Sequence, residues 1–399
     1  MGKVIGKRLK EMKKIVIITG EASGDLYGGK LAQAIKELSP DVHLQGMGGS
    51  NMALAGVKID FDISDLCAIG AVEIITKIPE FIYRLKEVGN YLEKEKPHLL
   101  VLIDFPEFNM RLAKTARRLN IPTVYYIPPT AWAWRKGRAK TMTKLVDKVI
   151  CIFDFEARIY QEAGNKVEFI GHPLLDIVSP QMSKEEACKE FNLDQKKKII
   201  GVLPGSRKSE IKVLLPIMLS GVEKIQRHFP DAQFILPLAP TLSKEDILKF
   251  KLQNTKIVSN NTYEVMNISD LLIVASGTAT LEAALIGVPM IIVYKLNWLT
   301  WQLGKILVST GGFIGLPNIV AGKEIVPELL QNKAEPELIS QYAIELLENE
   351  DKRGKMITEL KQVKEKLGGS GATIRAAKTM LDCVGVLINR KFYNINKYQ

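Results

Sequence analysis

The stretch KIVIITGEASGDLYGG (residues 14–29) passes from an unbroken apolar, β-branched run through a turn of small residues into a segment that can open a helix. That order is the start of a βα unit in a parallel sheet, whose strands are covered on both faces and so lack alternation. The glycines stand at 20, 24, 28 and 29, which is not the G-x-G-x-x-G spacing, so a dinucleotide fingerprint is poorly supported. The unpaired N–H groups of the helix start can still hold an anion. Ser23, Gly24 and Asp25 are therefore read either as part of a binding turn or as an ordinary βα turn capped by Ser23 or Asp25.

The same rhythm recurs outward from this stretch. Strands are expected at VHLQGMG (42–48), LLVLIDF (99–105), TVYYIP (123–128) and KVICIF (148–153). A second series follows at KIIGVLPGS (198–206), QFILPLA (233–239), KIVSN (256–260), LLIVASGT (271–278) and PMIIVYK (289–295). Amphipathic segments separate them, which predicts an α/β chain with two Rossmann-like parallel-sheet domains facing a cleft. The boundary is placed near residue 177, after FIGHP, where a strand is expected to end in Gly171-His172-Pro173, and a polar stretch; Ser183 with Glu186 three residues on then marks a helix start. The expected division is a basic extension over 1–13, domains over 14–176 and 177–370, and a C-terminal helix and tail over 371–399. Whether that Lys-rich end closes back onto the first domain or pairs with another chain is left open by the residues.

At 399 residues and 46% hydrophobic, the chain is long for one core. Its net charge of +11 implies an acidic partner: nucleic acid, an anionic membrane surface or a phosphorylated small molecule. The four cysteines form no C-x-x-C pair, which fits a reducing compartment. The basic N-terminus has a short apolar run ending in Gly20-Glu21 rather than a cleavage site, so no signal peptide is expected, and Met12 is an alternative start. ALIGVPMIIVYKLNWL is broken by Pro289 and Lys295, short of the roughly 18–20 apolar residues that a span needs. Any membrane contact is expected to be peripheral.

Ligands of open α/β sheets bind beyond the carboxyl ends of the strands, so the residues following the apolar runs matter most. Asp104 ends a fully apolar strand, where partial desolvation would raise its pKa toward the range of a general base; the alternative is that it caps the next helix with Asn109 and its neighbours. LPGSRKSEI (203–211) puts Gly205 and Ser206 in a turn and Arg207 at a helix start, suited to a bidentate phosphate contact. ASGTATLEAALIGVP (275–289) offers Ser276, Gly277, Thr278 and Thr280 at another helix start, a setting that suits a diphosphate. Glu282, one turn further, can accept hydrogen bonds from both hydroxyls of a ribose.

Other features invite plainer readings. IDFDISD (59–65) contains a D-x-D string that some glycosyltransferases use for metal, but a solvated acidic turn is expected. His172 in GHP reads as a hinge position between domains. The segment 67–96 is either an amphipathic helix facing the core or an interfacial segment walling a greasy pocket, since it is apolar on more than one face. In IPPTAWAWRKGRAKTM (127–142), Trp132 and Trp134 precede a run of cations; a nucleic-acid stacking platform is one use of such a pattern.

Taken together, GEASGD, IDFPEFN, PPTAWAWR, FIGHPL, LPGSRKSEI, ASGTATLEA and GLPNIVAGKEIVPELLQ resemble the lipid-A-disaccharide synthase family of GT-B type glycosyltransferases, in family order over residues 14–331. The resemblance implies an inverting enzyme that joins UDP-2,3-diacylglucosamine to 2,3-diacylglucosamine 1-phosphate, giving a β(1→6) disaccharide and UDP. It implies no bound metal and no cofactor, and no nucleic-acid partner. Carried onto this chain, the first domain binds the acceptor and the second the UDP-sugar. Asp104 is then the base for the acceptor 6-hydroxyl and Arg207 neutralises the departing diphosphate. Gly205, Ser206, Ser276, Gly277, Thr278, Thr280, Glu282, Asn318 and Gln331 line the UDP site, while Ser23, Gly24, Asp25, Trp134 and Arg135 meet the acceptor. One or both tryptophans wall the acceptor site or pack beneath it. The implied location is cytoplasmic, on the inner face of the inner membrane of a Gram-negative bacterium, with a homo-oligomer left open. Departures are the extension before Met12 and the Pro-Thr-Ala that precedes Trp132. Two rivals stand beside it: a UDP-N-acetylglucosamine 2-epimerase or other GT-B UDP-sugar enzyme, and a non-catalytic membrane or RNA binder.

Overall fold

The computed structural model describes residues 12–63, 78–129, 136–252, 254–295 and 312–386. In chain order the first part comprises β1 (Lys14–Ile18), α1 (Ala22–Leu38), β2 (His43–Gly48), α2 (Ser50–Leu54), β3 (Lys58–Asp62), α3 (Ile78–Glu95), β4 (Leu99–Ile103), α4 (Pro106–Arg118), β5 (Thr123–Tyr126), α5 (Lys136–Leu145), β6 (Lys148–Cys151), α6 (Asp154–Glu162), β7 (Val167–Phe169) and α7 (Leu174–Ile177). The second comprises α8 (Lys184–Glu190), β8 (Ile199–Leu203), α9 (Lys208–His228), β9 (Gln233–Leu238), α10 (Lys244–Leu248), β10 (Thr255–Ser259), α11 (Thr262–Ile268), β11 (Leu271–Ala275), α12 (Thr278–Ile286), β12 (Met290–Tyr294), α13 (Leu316–Ala321), β13 (Glu328–Leu330), α14 (Pro336–Glu348), α15 (Glu350–Lys366) and α16 (Ala372–Cys383).

Both sheets are parallel, as the apolar runs predicted. Their strand orders are β3-β2-β1-β4-β5-β6-β7 and β10-β9-β8-β11-β12-β13. The central strands β4, β8 and β11 are buried at every residue, because helices cover both faces. Chain order reverses between β1 and β4 in one sheet and between β8 and β11 in the other. The βα turns at these two points diverge to opposite faces and leave a crevice.

Two strands escaped the sequence reading, β3 (KIDFD) and β13 (ELL), while β7 (VEF) is the strand expected to end in Gly171-His172-Pro173. All lie at sheet edges, where one side is unpaired and polar residues are tolerated. The expectation of a solvated acidic turn at 59–65 is corrected accordingly over its described part. Asp60 sits in β3 and accepts hydrogen bonds from Lys58 Nζ at 2.6 Å and Tyr91 Oη at 2.5 Å. The helix start expected at Ser183 is a full capping box, with Ser183 Oγ accepting from the Glu186 amide and Glu186 returning the bond. Among the described residues no helix is long and apolar enough to cross a membrane.

The chain crosses between the sheets at 170–178 and returns at 367–371, and the two crossings are tied together. The His172 amide donates to Leu367 O at 2.9 Å, and Asp176 accepts from the amides of Gly371 (2.5 Å) and Thr373 (3.0 Å). Arg375 donates from Nε and Nη2 to Ile170 O at 2.9 and 2.7 Å, and also reaches Ser370 O and Gly369 O. Gly171, at φ +80°, fits between them because a Cβ there would lie 3.2 Å from Arg375 Nη2 and from Leu367 O. Beyond the return crossing, α16 packs on α1 of the first sheet. His172, between Tyr27 and Phe153, is buried and kept neutral, its pKa lowered to about 3 by desolvation.

Replacing Arg375 by Met leaves three carbonyls of the crossings without their cationic donor. The expected outcome is a loss of about 2–3 kcal/mol in denaturant unfolding; an unchanged midpoint would show that water replaces the guanidinium at no cost.

Candidate active site

The two reversal points supply four turns, and these carry most of the residues singled out in the sequence. In the first sheet the β1 turn delivers Glu21 and Ser23 at the start of α1, and β4 delivers Asp104. In the second, β8 delivers Gly205, Ser206 and Arg207, and β11 delivers Ser276, Gly277 and Thr278.

Asp104 and Phe105 both adopt φ +47°, a left-handed conformation that side-chain-bearing residues avoid. Strain of about 1–3 kcal/mol per residue persists only where neighbours enforce it. Here the Asp104 carbonyl accepts from Tyr125 Oη and from Asn109 Nδ2, each at 2.7 Å. Asn109 is fully buried and also donates to Ile103 O. The residue at the N-cap of α4 is Phe105, so Asp104 does not cap the helix, and its side chain is left at the cleft mouth. Burial pushes its carboxyl up to about 7, the charge of Glu21 adds to that, and the Phe105 amide pulls it back.

Arg207 is the N-cap of α9 and stretches across the cleft. Its Nη1 lies 3.4 Å from Glu210 Oε1, and its Nη2 lies 3.7 Å from Glu21 Oε2 on the first sheet's side. Glu210 Oε2 also accepts from the amides of Ser206 (3.1 Å) and Arg207 (3.3 Å), filling the turn with a carboxylate. Gly205 is at φ +113°, and a Cβ there would lie 2.4 Å from Glu210 Oε2, so glycine is required for this closure. Tyr294, at the end of β12, is raised by burial and by the charge of Glu210.

The β11 turn is open. Among the described residues nothing comes within 4 Å of the Cβ that Gly277 lacks. Ser276 Oγ approaches Ile314 O at 3.4 Å, and the 314–315 amides donate to Glu328 at 2.9 Å, so the 312–318 segment is fastened beside the turn. Glu282 accepts from Tyr263 Oη at 3.1 Å; burial raises its pKa and that bond lowers it. Tyr27 of α1 is buried, and burial with the charge of Glu282 holds its hydroxyl protonated. Gln331 follows β13 at φ +54°.

Three of the expected site residues turn inward. Asp25 is buried and accepts from the amides of Gly49 (2.7 Å), Asn51 (2.9 Å) and Met52 (3.2 Å) and from Asn51 Nδ2, so it caps α2 rather than facing an acceptor. Asn318 is fully buried, its amide spent on Val326 O and Glu328 and its Oδ1 on the amides of Ile325 and Val326. Thr280 is likewise buried, with Oγ1 donating to Gly277 O at 2.7 Å. These residues shape the turns that would touch a ligand. Gly24 is buried under Thr19, and Ser23 is half-buried in the first turn of α1. Trp132, Trp134 and Arg135 lie outside the described residues. Glu21, Tyr27, Tyr263 and Glu210 were not anticipated; Glu21 sat inside a quoted motif where only the small residues attracted notice.

A family model described as lipid-A-disaccharide synthetase matches residues 15–379. A lipid-A-disaccharide synthase of Geobacter sulfurreducens is 41% identical over 375 residues, 93% of this chain and 97% of its own length. One from Syntrophus aciditrophicus is 39% identical over 93% of this chain and 98% of its own. Among solved structures, the UDP-GlcNAc 2-epimerase of Neisseria meningitidis bound to UDP-GlcNAc aligns with TM-score 0.64 at 16% identity, covering 93% of this chain and 100% of the other. The glycotransferase of kitacinnamycin aligns at 0.62 and 13% identity, covering 94% and 99%. At such identities the structural likeness speaks for the GT-B fold alone.

A carboxyl whose proton affinity is raised by folding favours the folded state only while protonated. That contribution is complete below about pH 4 and is lost as pH climbs through about 7. Asp104→Asn is therefore expected to melt above the wild type at pH 8, with the gap narrowing as pH falls toward 5. Equal melting temperatures at pH 8 would mean that the carboxylate is not disfavoured where it stands.

Proposed function

The chain belongs to the lipid-A-disaccharide synthetase family, and from that membership we propose that it transfers a diacylglucosamine from its UDP donor to diacylglucosamine 1-phosphate. The reaction is a displacement with inversion. The acceptor 6-hydroxyl oxygen bonds to C1 of the donor sugar, the C1–oxygen bond to diphosphate breaks with its electron pair leaving on UDP, and the hydroxyl proton passes to Asp104. A neutral hydroxyl needs such a base, and the developing charge on the diphosphate needs fixed positive charge. The observation that carries the reading is the 3.7 Å approach of Arg207 to Glu21, which brings the second sheet's cation to the side of the cleft where Asp104 stands.

In this reading Arg207 and the Gly205–Ser206 turn meet the diphosphate, with the open turn of Ser276, Gly277 and Thr278 at the start of α12. Glu282, held by Tyr263, accepts from the ribose hydroxyls, and Gln331 borders the same side. Asn318, Thr280 and Asp25 hold these turns in shape from within. Ser23 and Gly24 stand on the acceptor side, and Trp134 and Arg135 are assigned there on the family resemblance alone. Acylated substrates call for an enzyme that works peripherally at a membrane. An open groove of about 640 Å³ on the first sheet's side supports this; it is lined by Pro106, Met110, Arg111 and Lys114, and by Arg138 in an ion pair with Glu107. Ile82 and Tyr83 on α3 are 52% and 63% exposed, an apolar complement to that charge.

Asp104→Asn is expected to cut kcat about 10²–10⁴-fold while UDP affinity stays within about twofold, and Arg207→Ala to weaken UDP binding about 10–100-fold. UDP release measured with both acylated substrates, and calorimetry with UDP, read these effects. Full turnover by Asp104→Asn would remove it as the base, and a new sugar isomer formed from a UDP-sugar alone would favour an epimerase.

The membrane reading carries its own expectation. An Arg111→Gln, Lys114→Gln double variant should leave vesicles of anionic phospholipid at lower salt than the wild type, because each cation near such a surface contributes about 1 kcal/mol. Identical salt profiles would move the contact elsewhere.

A further inference from the structure

The ion pair across the cleft joins two residues that the reaction would separate. Arg207 is held between one carboxylate from each side, Glu21 at 3.7 Å and Glu210 at 3.4 Å. The side chains of Arg207 and Glu21 are 53% and 38% exposed. A pair so open to water is worth at most about 1 kcal/mol, too little to lock the cleft and little enough to be exchanged for a diphosphate, which accepts bidentate, charge-assisted bonds.

Among the described residues Glu21 has its carboxylate fastened by Arg207 and not by its own helix. It stands at the N-cap of α1 but makes no side-chain capping bond, so the helix starts without its carboxylate. Its charge does act on Asp104. Among the described residues the other ionisable groups around the two carboxylates are Tyr27 on α1 and Tyr125 on β5, both kept protonated by burial, with Glu210 and Tyr294 on the Arg207 side. Among the described residues the cation paired with Glu21 is Arg207.

We propose that Glu21 couples donor binding to the base: it holds Arg207 while the site is empty, and once a diphosphate takes the guanidinium it is left as an unneutralised carboxylate beside Asp104. Glu21 is thus a positioning residue that acts through Arg207 and Asp104. The inference rests on the reading of Arg207 as the partner of the diphosphate. A bare negative charge beside Asp104 strengthens its hold on a proton, so the base becomes stronger when there is a leaving group to expel.

The test compares the full-length wild type with Glu21→Gln, Glu21→Asp and Arg207→Ala. In the wild type the acid limb of kcat, which reports the loaded enzyme, is expected about half a pH unit or more above that of kcat/KM for the donor, which reports the free enzyme. In Glu21→Gln the limb of kcat falls and the gap closes, while UDP binds about two- to fivefold tighter because Arg207 no longer has to leave a partner. Glu21→Asp keeps the wild-type pattern. Unmoved limbs with unchanged UDP affinity in Glu21→Gln overturn the coupling. Equal losses of activity and melting temperature in both Glu21 variants also overturn it, since that is the mark of a structural role. If instead the wild type binds no UDP, or Arg207→Ala binds it as tightly as the wild type, the diphosphate assignment itself falls.

Discussion

Asp104 stands at the end of a strand buried along its whole length, and the site is built around keeping its carboxylate there. A chain leaving such a strand would ordinarily curl into the next helix and carry the carboxylate to a capping position. Instead Tyr125 and Asn109 seize the Asp104 carbonyl, which forces two successive residues into left-handed backbone and hands the cap to Phe105. Hydrogen bonds from a buried tyrosine and a buried asparagine thus fix where the charge points. The apolar strand behind it then sets how readily that charge is given up.

The second sheet repeats the arrangement with the opposite sign. Its reversal point presents a cation and an open helix start where the first presents carboxylates. The fit of one to the other depends on the two crossings, where Arg375 and Asp176 gather backbone groups from both strands of the connection.

The parallel sheets were legible because buried strands must be apolar throughout, and LLVLI or LLIVA can be little else. Two edge strands were not legible: KIDFD has only one neighbour to satisfy and carries polar residues, and ELL is only three residues long. In the candidate site, Asp104, Arg207 and Ser276 were singled out from their place after an apolar run, and each does stand at the end of a strand or the start of the helix that follows. Asp25, Asn318 and Thr280 were singled out on the same ground and turn inward: a polar residue in a turn looks alike whether it bonds a ligand or the backbone beneath it. Their burial separates the cases, and burial is set by segments such as 49–52 and 325–328 that are remote in sequence. Glu21 could be recognised only once Arg207 was seen to reach it from the other sheet.

The packing of α16 on α1 has a bearing on how the protein is made. Residues 14–178 leave the ribosome long before residues 372–383, yet α1 packs on those late residues as well as on α2, with Ala376, Ala377, Met380 and Leu381 buried. The first sheet therefore spends most of synthesis with an apolar helix face open to solvent, a state that invites premature association of nascent chains. Its completion is tied to the finished translation of the second sheet, so a chain cut short anywhere before α16 would lack a native surface for its earliest helix.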